Sequence, residues 1–322
     1  MKRIAVMTSG GDAPGMNAAI RAVVRTGLEY EMEVYGIRQA YTGCLNGDFE
    51  LLTSREVSGI LQRGGTILQT ARNEEFRTLQ GQRRALRRLN EHGIEGLVVI
   101  GGDGSLRGAL TLCQLGFPVV GVPGSIDNDI WGTDMSIGVD TALNTIIDAL
   151  DRIRDTATSH QRAFLIEVMG RNCGYLALMA GILGGAELVI TPEQHVSMDD
   201  VAQSLIDSYV RGKTHAVAVI AEGASYHVTE LAAFLENRKD VGFEIRLSIL
   251  GHIQRGGSPS AFDRRLASQL GMRAVEALRD GNTGVMVGMN GRQIQLVPLE
   301  EVTSQTREMT DSYYELARIL SR

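Results

Sequence analysis

Three aspartates sit in glycine-rich turns that follow apolar runs. Asp103 lies in Gly101-Gly102-Asp103-Gly104-Ser105, directly after the run 97–100. Asp127 and Asp129 lie in Gly121-Val122-Pro123-Gly124-Ser125-Ile126-Asp127-Asn128-Asp129, which continues the run 117–122. A carboxylate on one glycine turn beside another suits Mg²⁺, which takes one or two carboxylates together with phosphate oxygens and water. Asp103 fits that role. Asp127 and Asp129 are two apart, so in an extended loop they point to opposite sides. One can accept a proton from a substrate hydroxyl while the other supports the metal or orients the first. Metal, base and cations on a migrating phosphoryl group are the parts of phosphoryl transfer to an alcohol. Asp127 and Asp129 also suit turn formation and helix capping, and spacing alone leaves both readings open.

Cations are needed to match. Arg162, Arg171, Arg246, His252 and Arg255 fall at or near strand ends in the second half of the chain. Singly each reads as a surface residue; together they suit a dianionic phosphate ester. Glu222 follows a strand and could bind sugar hydroxyls, while Met169 reads as core filler beside Gly170. Of 32 basic residues only Lys2, Lys213 and Lys239 are lysines, and none lies in a glycine-rich loop. A phosphate here must therefore be met by Arg, backbone N–H groups or a metal, and a P-loop is excluded. Base composition accounts for most of the Arg bias.

The elements that position these groups alternate. Strands are predicted at 4–8, 34–37, 97–100, 117–122, 164–168, 188–190, 216–221 and 244–250, with a hairpin at 285–289 and 293–297. Helices are predicted at 16–30, to about 92 around the cluster Arg83 to Arg88, and at 105–115, 139–156, 175–182, 198–211, 228–238, 260–280 and 311–320. A short helix is predicted at 55–61, and an irregular stretch with Tyr41, Gly43 and Gly47 after residue 37. The first strand, the glycine turn 9–15 and the first helix make the strand–turn–helix unit that aims free N–H groups at an anion, although many such turns only make a tight corner. On that helix Arg21 and Arg25 share a face and read as solvated. The pattern predicts an α/β fold with largely parallel sheets. It restarts near Val139 or Phe164, which suggests two similar doubly wound lobes with a cleft between them.

Composition narrows the function. With 43% hydrophobic and 22% charged residues, the 322-residue chain is ordinary for a globular protein and long enough for two domains. A net charge of −6 argues against a general nucleic-acid or membrane-surface role. No apolar run approaches the ~20 residues of a transmembrane helix, and the opening Met1-Lys2-Arg3-Ile4 runs into a strand pattern rather than a signal peptide. Cys44, Cys113 and Cys173 fit neither a disulfide framework nor a zinc site, so a reducing, cytoplasmic setting is expected.

Five motifs carry a resemblance: 10–18, Gly-Gly-Asp-Ala-Pro-Gly-Met-Asn-Ala; 101–105; 123–129; 169–174, Met-Gly-Arg-Asn-Cys-Gly; and 251–259, Gly-His-Ile-Gln-Arg-Gly-Gly-Ser-Pro. Together and in this order they resemble the bacterial ATP-dependent phosphofructokinases over nearly the whole chain. The resemblance implies that Gly11, Tyr41, Arg72, Asn73, Gly102, Asp103, Gly104 and Ser105 hold ATP, with Asp103 on Mg²⁺. It implies that Asp127 takes the proton from the 1-hydroxyl of fructose 6-phosphate, supported by Asp129, with Ser125, Arg72 and Arg171 also at the chemistry. Ile126, Met169, Gly170, Glu222, Ile253 and Gln254 would line the sugar, and Arg162, Arg246, His252 and Arg255 would grip its phosphate. Arg162 and Arg246 would serve a neighbouring subunit, in a homotetramer. An effector site for ADP and phosphoenolpyruvate would use Arg21, Arg25, Arg55, Arg154, Gly185, Glu187, Arg211, Lys213 and His215. It further implies an ATP lobe of 1–138 plus 251–302 and a sugar-phosphate lobe of 139–250 plus 303–322.

The chain departs from the family pattern at three places. Ser125 stands where Thr is usual, Ser54 where an Arg precedes Arg55, and Thr214 where a second Lys is common. The alternative, pyrophosphate-dependent members typically carry Asp at position 104 and Lys at 124. Both are Gly here, which favours ATP.

Overall fold

The computed structural model describes residues 1–157, 160–307 and 309–321. They form two compact units. The first comprises 1–126, 130–141 and 255–307; the second comprises 127–129, 142–254 and 308–322. Relative to the expected division, 127–129 and 251–254 move to the second unit, and 139–141 and 303–307 to the first.

The first unit opens β1 (Arg3–Ser9), α1 (Met16–Glu29), β2 (Glu33–Ile37), α2 (Ala40–Asn46), β3 (Phe49–Leu52), α3 (Leu79–Glu91), β4 (Gly96–Gly101), α4 (Asp103–Gln114) and β5 (Val119–Pro123). The partition falls inside the next helix, α5 (Val139–Ala157). The second unit continues with β6 (Arg162–Val168), α6 (Tyr175–Gly184), β7 (Leu188–Ile190), α7 (Met198–Val210), β8 (Ala216–Ala221), α8 (Val228–Glu236) and β9 (Glu244–Ile249). The chain returns to the first unit as α9 (Ala261–Arg279), β10 (Val285–Asn290), β11 (Gln293–Pro298) and α10 (Leu299–Ser304), and ends in the second as α11 (Asp311–Leu320).

Among the described residues the first unit holds a seven-stranded sheet, β11-β10-β5-β4-β1-β2-β3. Its centre is parallel, and the margins β3 and β11 are antiparallel. Ile4 to Met7 and Leu97 to Ile100 are fully buried, as a strand covered on both faces requires. Helix α1 packs on α9. Gly271 permits that approach: a side-chain carbon there would stand 2.8 Å from the Ala19 carbonyl and 2.9 Å from the Ala22 methyl.

The second unit holds a four-stranded, all-parallel sheet, β7-β8-β6-β9. Its helix α7 starts in a capping box, with Ser197 and Asp200 each bonding the other's backbone N–H. Both units are thus α/β with parallel cores, but they differ in strand number and in the antiparallel margins of the first. No helix among the described residues is long and apolar enough to cross a membrane.

Two local expectations fail. The stretch after residue 37 is not irregular; it folds as α2 and the edge strand β3. Gly43 makes this fit, because any side chain there would collide with the Arg38 carbonyl. No helix forms at 55–61. The Glu56 carboxylate accepts from the backbone N–H and hydroxyl of Thr53, but the turns that follow do not continue as a helix, and Gly59 is left-handed with φ 70°.

Candidate active site

In the first unit three strand ends lie level. Ser9 pairs with Gly101, and Gly101 with Pro123. Gly101 must be glycine, since a side chain would strike the Ser9 carbonyl. Gly15, with φ 111°, ends the first turn in the left-handed region and hands over to α1. Gly102 precedes α4, so Asp103 falls in that helix's first turn, where the dipole favours a carboxylate. Asp103 accepts from Arg107 Nε at 2.9 Å and stays 41% exposed, open to a ligand. Ser105 is nearly buried.

Two residues expected to hold the nucleotide, Tyr41 and Asn73, also make bonds within the protein. Tyr41 is 7% exposed, stacks on Phe76 at 3.9 Å and donates its hydroxyl to the Ser105 carbonyl at 2.7 Å. Burial raises its pKa well above the usual tyrosine value. Tyr41 therefore braces the start of α4. Asn73 donates to Thr42 Oγ1 at 3.1 Å and accepts from the Phe76 N–H at 3.0 Å. It holds the turn that follows Arg72, which is exposed. Arg255 lies across Gly11 and donates to the Asp12 carbonyl at 3.2 Å. This guanidinium, expected at the sugar phosphate, flanks the first glycine turn within the first unit.

Asn17 was not singled out from the sequence as a site residue. It is 1% exposed, donates to the carbonyls of Arg63 and Gly64 at 3.0 and 3.1 Å, and accepts from the Ile67 N–H at 2.8 Å. Thr8 bonds Thr66 and the Gln69 carbonyl, and Thr70 donates to the Gly10 carbonyl at 2.8 Å. The segment leading to Arg72 is thereby tied to the glycine turn 9–15.

The 123–138 loop leaves β5 with its stem closed: the Gly124 N–H donates to the Gly101 carbonyl, and the Ile137 N–H to the Pro123 carbonyl, each at 3.0 Å. Ile126 is fully buried, and Ser125, Asp127 and Asp129 are partly exposed. Asn128 between the aspartates is fully buried with φ 53°, so the backbone reverses there and the stretch is not extended.

In the second unit β6 and β8 end side by side. The Glu222 N–H donates to the Val168 carbonyl at 2.8 Å, and the Gly223 N–H to the Gly170 carbonyl at 3.2 Å. Gly170 has φ 128°. Arg171 stands 3.9 Å from Glu222, but its side chain is 78% exposed and can swing to an incoming anion. Burial, with Glu222 adding repulsion, pushes the Glu167 carboxyl above its ordinary value, against a smaller pull from His227.

Gln254, expected at the sugar, is fully buried; it accepts from the Met169 N–H at 3.1 Å and donates to the Gly251 carbonyl at 3.0 Å. Its amide brackets Met169, itself 8% exposed. Neighbouring His252 and Ile253 are exposed.

Arg162 and Arg246 are joined by Glu244 on the edge strand β9. Arg162 donates to it at 2.8 Å, and Arg246 pairs with its other oxygen. These two guanidiniums, Arg162 first, hold the Glu244 carboxyl below its usual range.

Of the expected effector residues, Arg21, Arg25 and Arg55 belong to the first unit and the others to the second. Burial, and then Arg25, lowers the Arg21 guanidinium's pKa. Arg154 donates to the Gly185 carbonyl at 2.7 Å, and Glu187 pairs with Lys213 at 3.2 Å. Glu187 and Arg211 line one cleft of about 330 Å³, together with Arg318 of α11, a residue in none of the sequence motifs. His215 contacts Thr214.

A phosphofructokinase family model matches residues 3–278. The ATP-dependent 6-phosphofructokinase of Thermotoga neapolitana is 53% identical over 322 residues, covering 100% of both chains. That of Thermotoga petrophila is 52% identical with the same coverage. The crystal structure of Pichia pastoris phosphofructokinase in the T-state superposes with a TM-score of 0.90 at 38% identity, over 99% of this chain and 37% of that one. The chain belongs to the phosphofructokinase family.

Replacing Tyr41 by Phe removes the hydroxyl bond to Ser105 while keeping the ring stack. Chemical denaturation should show a loss of about 1 kcal/mol, the net contribution of one hydrogen bond. An unchanged midpoint would mean that the Ser105 carbonyl does not depend on Tyr41.

Proposed function

We propose that this chain is an ATP-dependent 6-phosphofructokinase. It transfers the γ-phosphoryl group of ATP to the 1-hydroxyl of fructose 6-phosphate, giving fructose 1,6-bisphosphate and ADP. The observation that carries this reading is the end-to-end match, at about half identity, to relatives named for that activity. The glycine turns and exposed carboxylates at the strand ends supply the chemistry it needs.

The roles divide by unit. In the first, the turns at Gly11 and at 102–105 receive the phosphates of ATP on backbone N–H groups and helix N-termini. Among the described residues no cluster of three or more His, Cys, Asp or Glu forms a metal cage. The exposed Asp103 instead suits a Mg²⁺ that arrives with the nucleotide and keeps phosphate and water oxygens. When bound, that ion would neutralise the charge that develops on the transferring group. Arg72 adds a guanidinium to that task.

In the second unit Asp127 accepts the proton of the attacking 1-hydroxyl as the oxygen bonds to phosphorus, and Asp129 orients it. Arg171, exposed and loosely held by Glu222, follows the phosphoryl group. Met169 and Glu222 hold the sugar, and Arg162, Arg246, His252 and Arg255 its phosphate. The reading extends to a cytoplasmic homotetramer, with Arg162 and Arg246 offered to a neighbouring subunit, and to control by ADP and phosphoenolpyruvate at Arg154, Glu187, Arg211 and Lys213.

Turnover of fructose 6-phosphate with ATP, and little or none with pyrophosphate, is the expected outcome of a coupled assay. Inactivity with both donors would sink the enzyme reading, and a preference for pyrophosphate would reverse the donor. Asp127→Ser should lower kcat by about 10²–10⁴-fold, as loss of a general base does, with little change in KM; a near-parental kcat would remove Asp127 from that role. Arg211→Ala should flatten the response to ADP and phosphoenolpyruvate while saturated kcat holds, and unaltered effector titrations would refute the effector site.

A further inference from the structure

Asp263 carries no part of the chemistry described above, yet it is a fully buried carboxylate. Both oxygens are used. Oδ1 accepts from the Gly138 N–H at 2.9 Å, and Oδ2 accepts from the Thr141 N–H at 2.8 Å and the Thr141 hydroxyl at 2.6 Å. Its partners lie more than a hundred residues away in sequence, at the start of α5.

The arrangement is a capping box exchanged between two helices. Ser260 caps α9 in the ordinary way, accepting from the Asp263 N–H at 3.2 Å. In a capping box the acid three residues on would return to the Ser260 N–H. Here the Thr141 hydroxyl accepts from that N–H at 2.9 Å, which frees the Asp263 carboxylate for α5. Ser260 Oγ in turn donates to Asp140 at 2.5 Å. The N-termini of α5 and α9 thus cap each other, and both dipoles favour the buried charge. Burial still raises the Asp263 carboxyl above its usual pKa, the hydrogen bonds from Thr141 and Gly138 pull it back down, and Asp140 is the other charged group acting on it.

What this knot holds is the stem of the 123–138 loop. Ile137 closes the stem on Pro123, and Gly138, next in sequence, is held by Asp263. The first motif packs on the same place. A side-chain carbon at Gly15 would stand 2.7 Å from Ile137 and 3.6 Å from Asp263, and one at Gly138 would stand 2.7 Å from Ala13. Three motifs therefore converge here: the turn 9–15, the loop carrying the two aspartates, and the loop ending at Pro259.

We propose that Asp263 is a positioning residue: it clamps the stem of the 123–138 loop, and thereby sets where Ser125, Asp127 and Asp129 present themselves for phosphoryl transfer. The choice of reacting atoms rests on the phosphofructokinase reading; the clamp itself does not.

The test uses Asp263→Asn, Thr141→Val and Thr141→Ser in the full chain, with two readouts. Steady-state kinetics are normalised to folded protein, and hydrogen exchange is followed by mass spectrometry. Asp263→Asn places an NH₂ group against the donors of Thr141. It should lower kcat roughly tenfold to a hundredfold, the effect of an ångström-scale misplacement, while KM for ATP stays within about twofold. Peptides covering 124–138 should exchange at least about tenfold faster while those from β1 and β4 keep their protection. Thr141→Ser should retain parental behaviour and Thr141→Val should not; this pair decides the matter if Asp263→Asn does not fold.

Parental kcat in folded Asp263→Asn overturns the proposal. So does unchanged exchange at 124–138, equal behaviour of the two Thr141 variants, or a parallel decline of kcat and both KM values. An inactive parent enzyme would sink the functional reading instead, and the exchange experiment would still decide the clamp.

Discussion

β1, β4 and β5 run parallel in one register, so Ser9, Gly101 and Pro123 finish level with one another. The organisation of the first unit depends on this. Parallel strands put all their carboxyl ends on one side, where ligands of such sheets bind. Because neighbouring strands lie only about 4.8 Å apart, the turns leaving these ends crowd each other, and Gly101 leaves no room beside the Ser9 carbonyl. At Gly101 glycine is first a packing requirement. The use of these turns as an anion cradle follows, because a backbone without side chains exposes its N–H groups where α1 and α4 begin.

Such turns have few side chains of their own to hold them, and their buried backbone groups still need partners. One solution recurs. A single buried polar side chain from elsewhere takes two or three backbone groups at once. Asn17 does this for the segment 63–67, Gln254 for Met169 and Gly251, and Asp263 for Gly138 and Thr141. Tyr41 takes one backbone group, the Ser105 carbonyl, and adds a ring stack on Phe76. The groups that would touch ligand behave differently: Arg72, Arg171 and His252 are exposed, and Asp103 keeps a large exposed fraction.

The division between anchors and exposed groups also marks what was legible in the sequence. Strand ends, glycine turns and the carboxylates on them follow from local pattern, and the long elements fall where apolar spacing puts them. Tyr41, Asn73 and Gln254 follow as ligand residues from the family resemblance, and the bonds they make within the fold were not legible from it. The anchor at Asp263 was illegible because its partners are distant in sequence. The bond from Thr141 to Asp263 spans 122 positions and that from Gly138 spans 125, and no periodicity links them. Helix α2 was missed because Gly43 reads as a helix breaker, when the Arg38 carbonyl in fact demands it. The expected helix at 55–61 is replaced by turns, with Gly59 left-handed at φ 70°.

The two glycines that bear on the phosphoryl donor do not weigh equally once their surroundings are known. At Gly124 a side-chain carbon would meet the Met16 methyl at 3.2 Å and Ile100 at 3.4 Å. Packing is therefore already a reason for glycine there. At Gly104, among the described residues, nothing lies within 4 Å of where a side chain would begin. A carboxylate would fit, and a helix's first turn would welcome it. Neither sterics at the first side-chain carbon nor helix electrostatics requires glycine at 104. The remaining reason is what the turn must receive. A second carboxylate one residue from Asp103 would repel the inner phosphates of a nucleotide, so on the proposed reading its absence favours ATP at this turn.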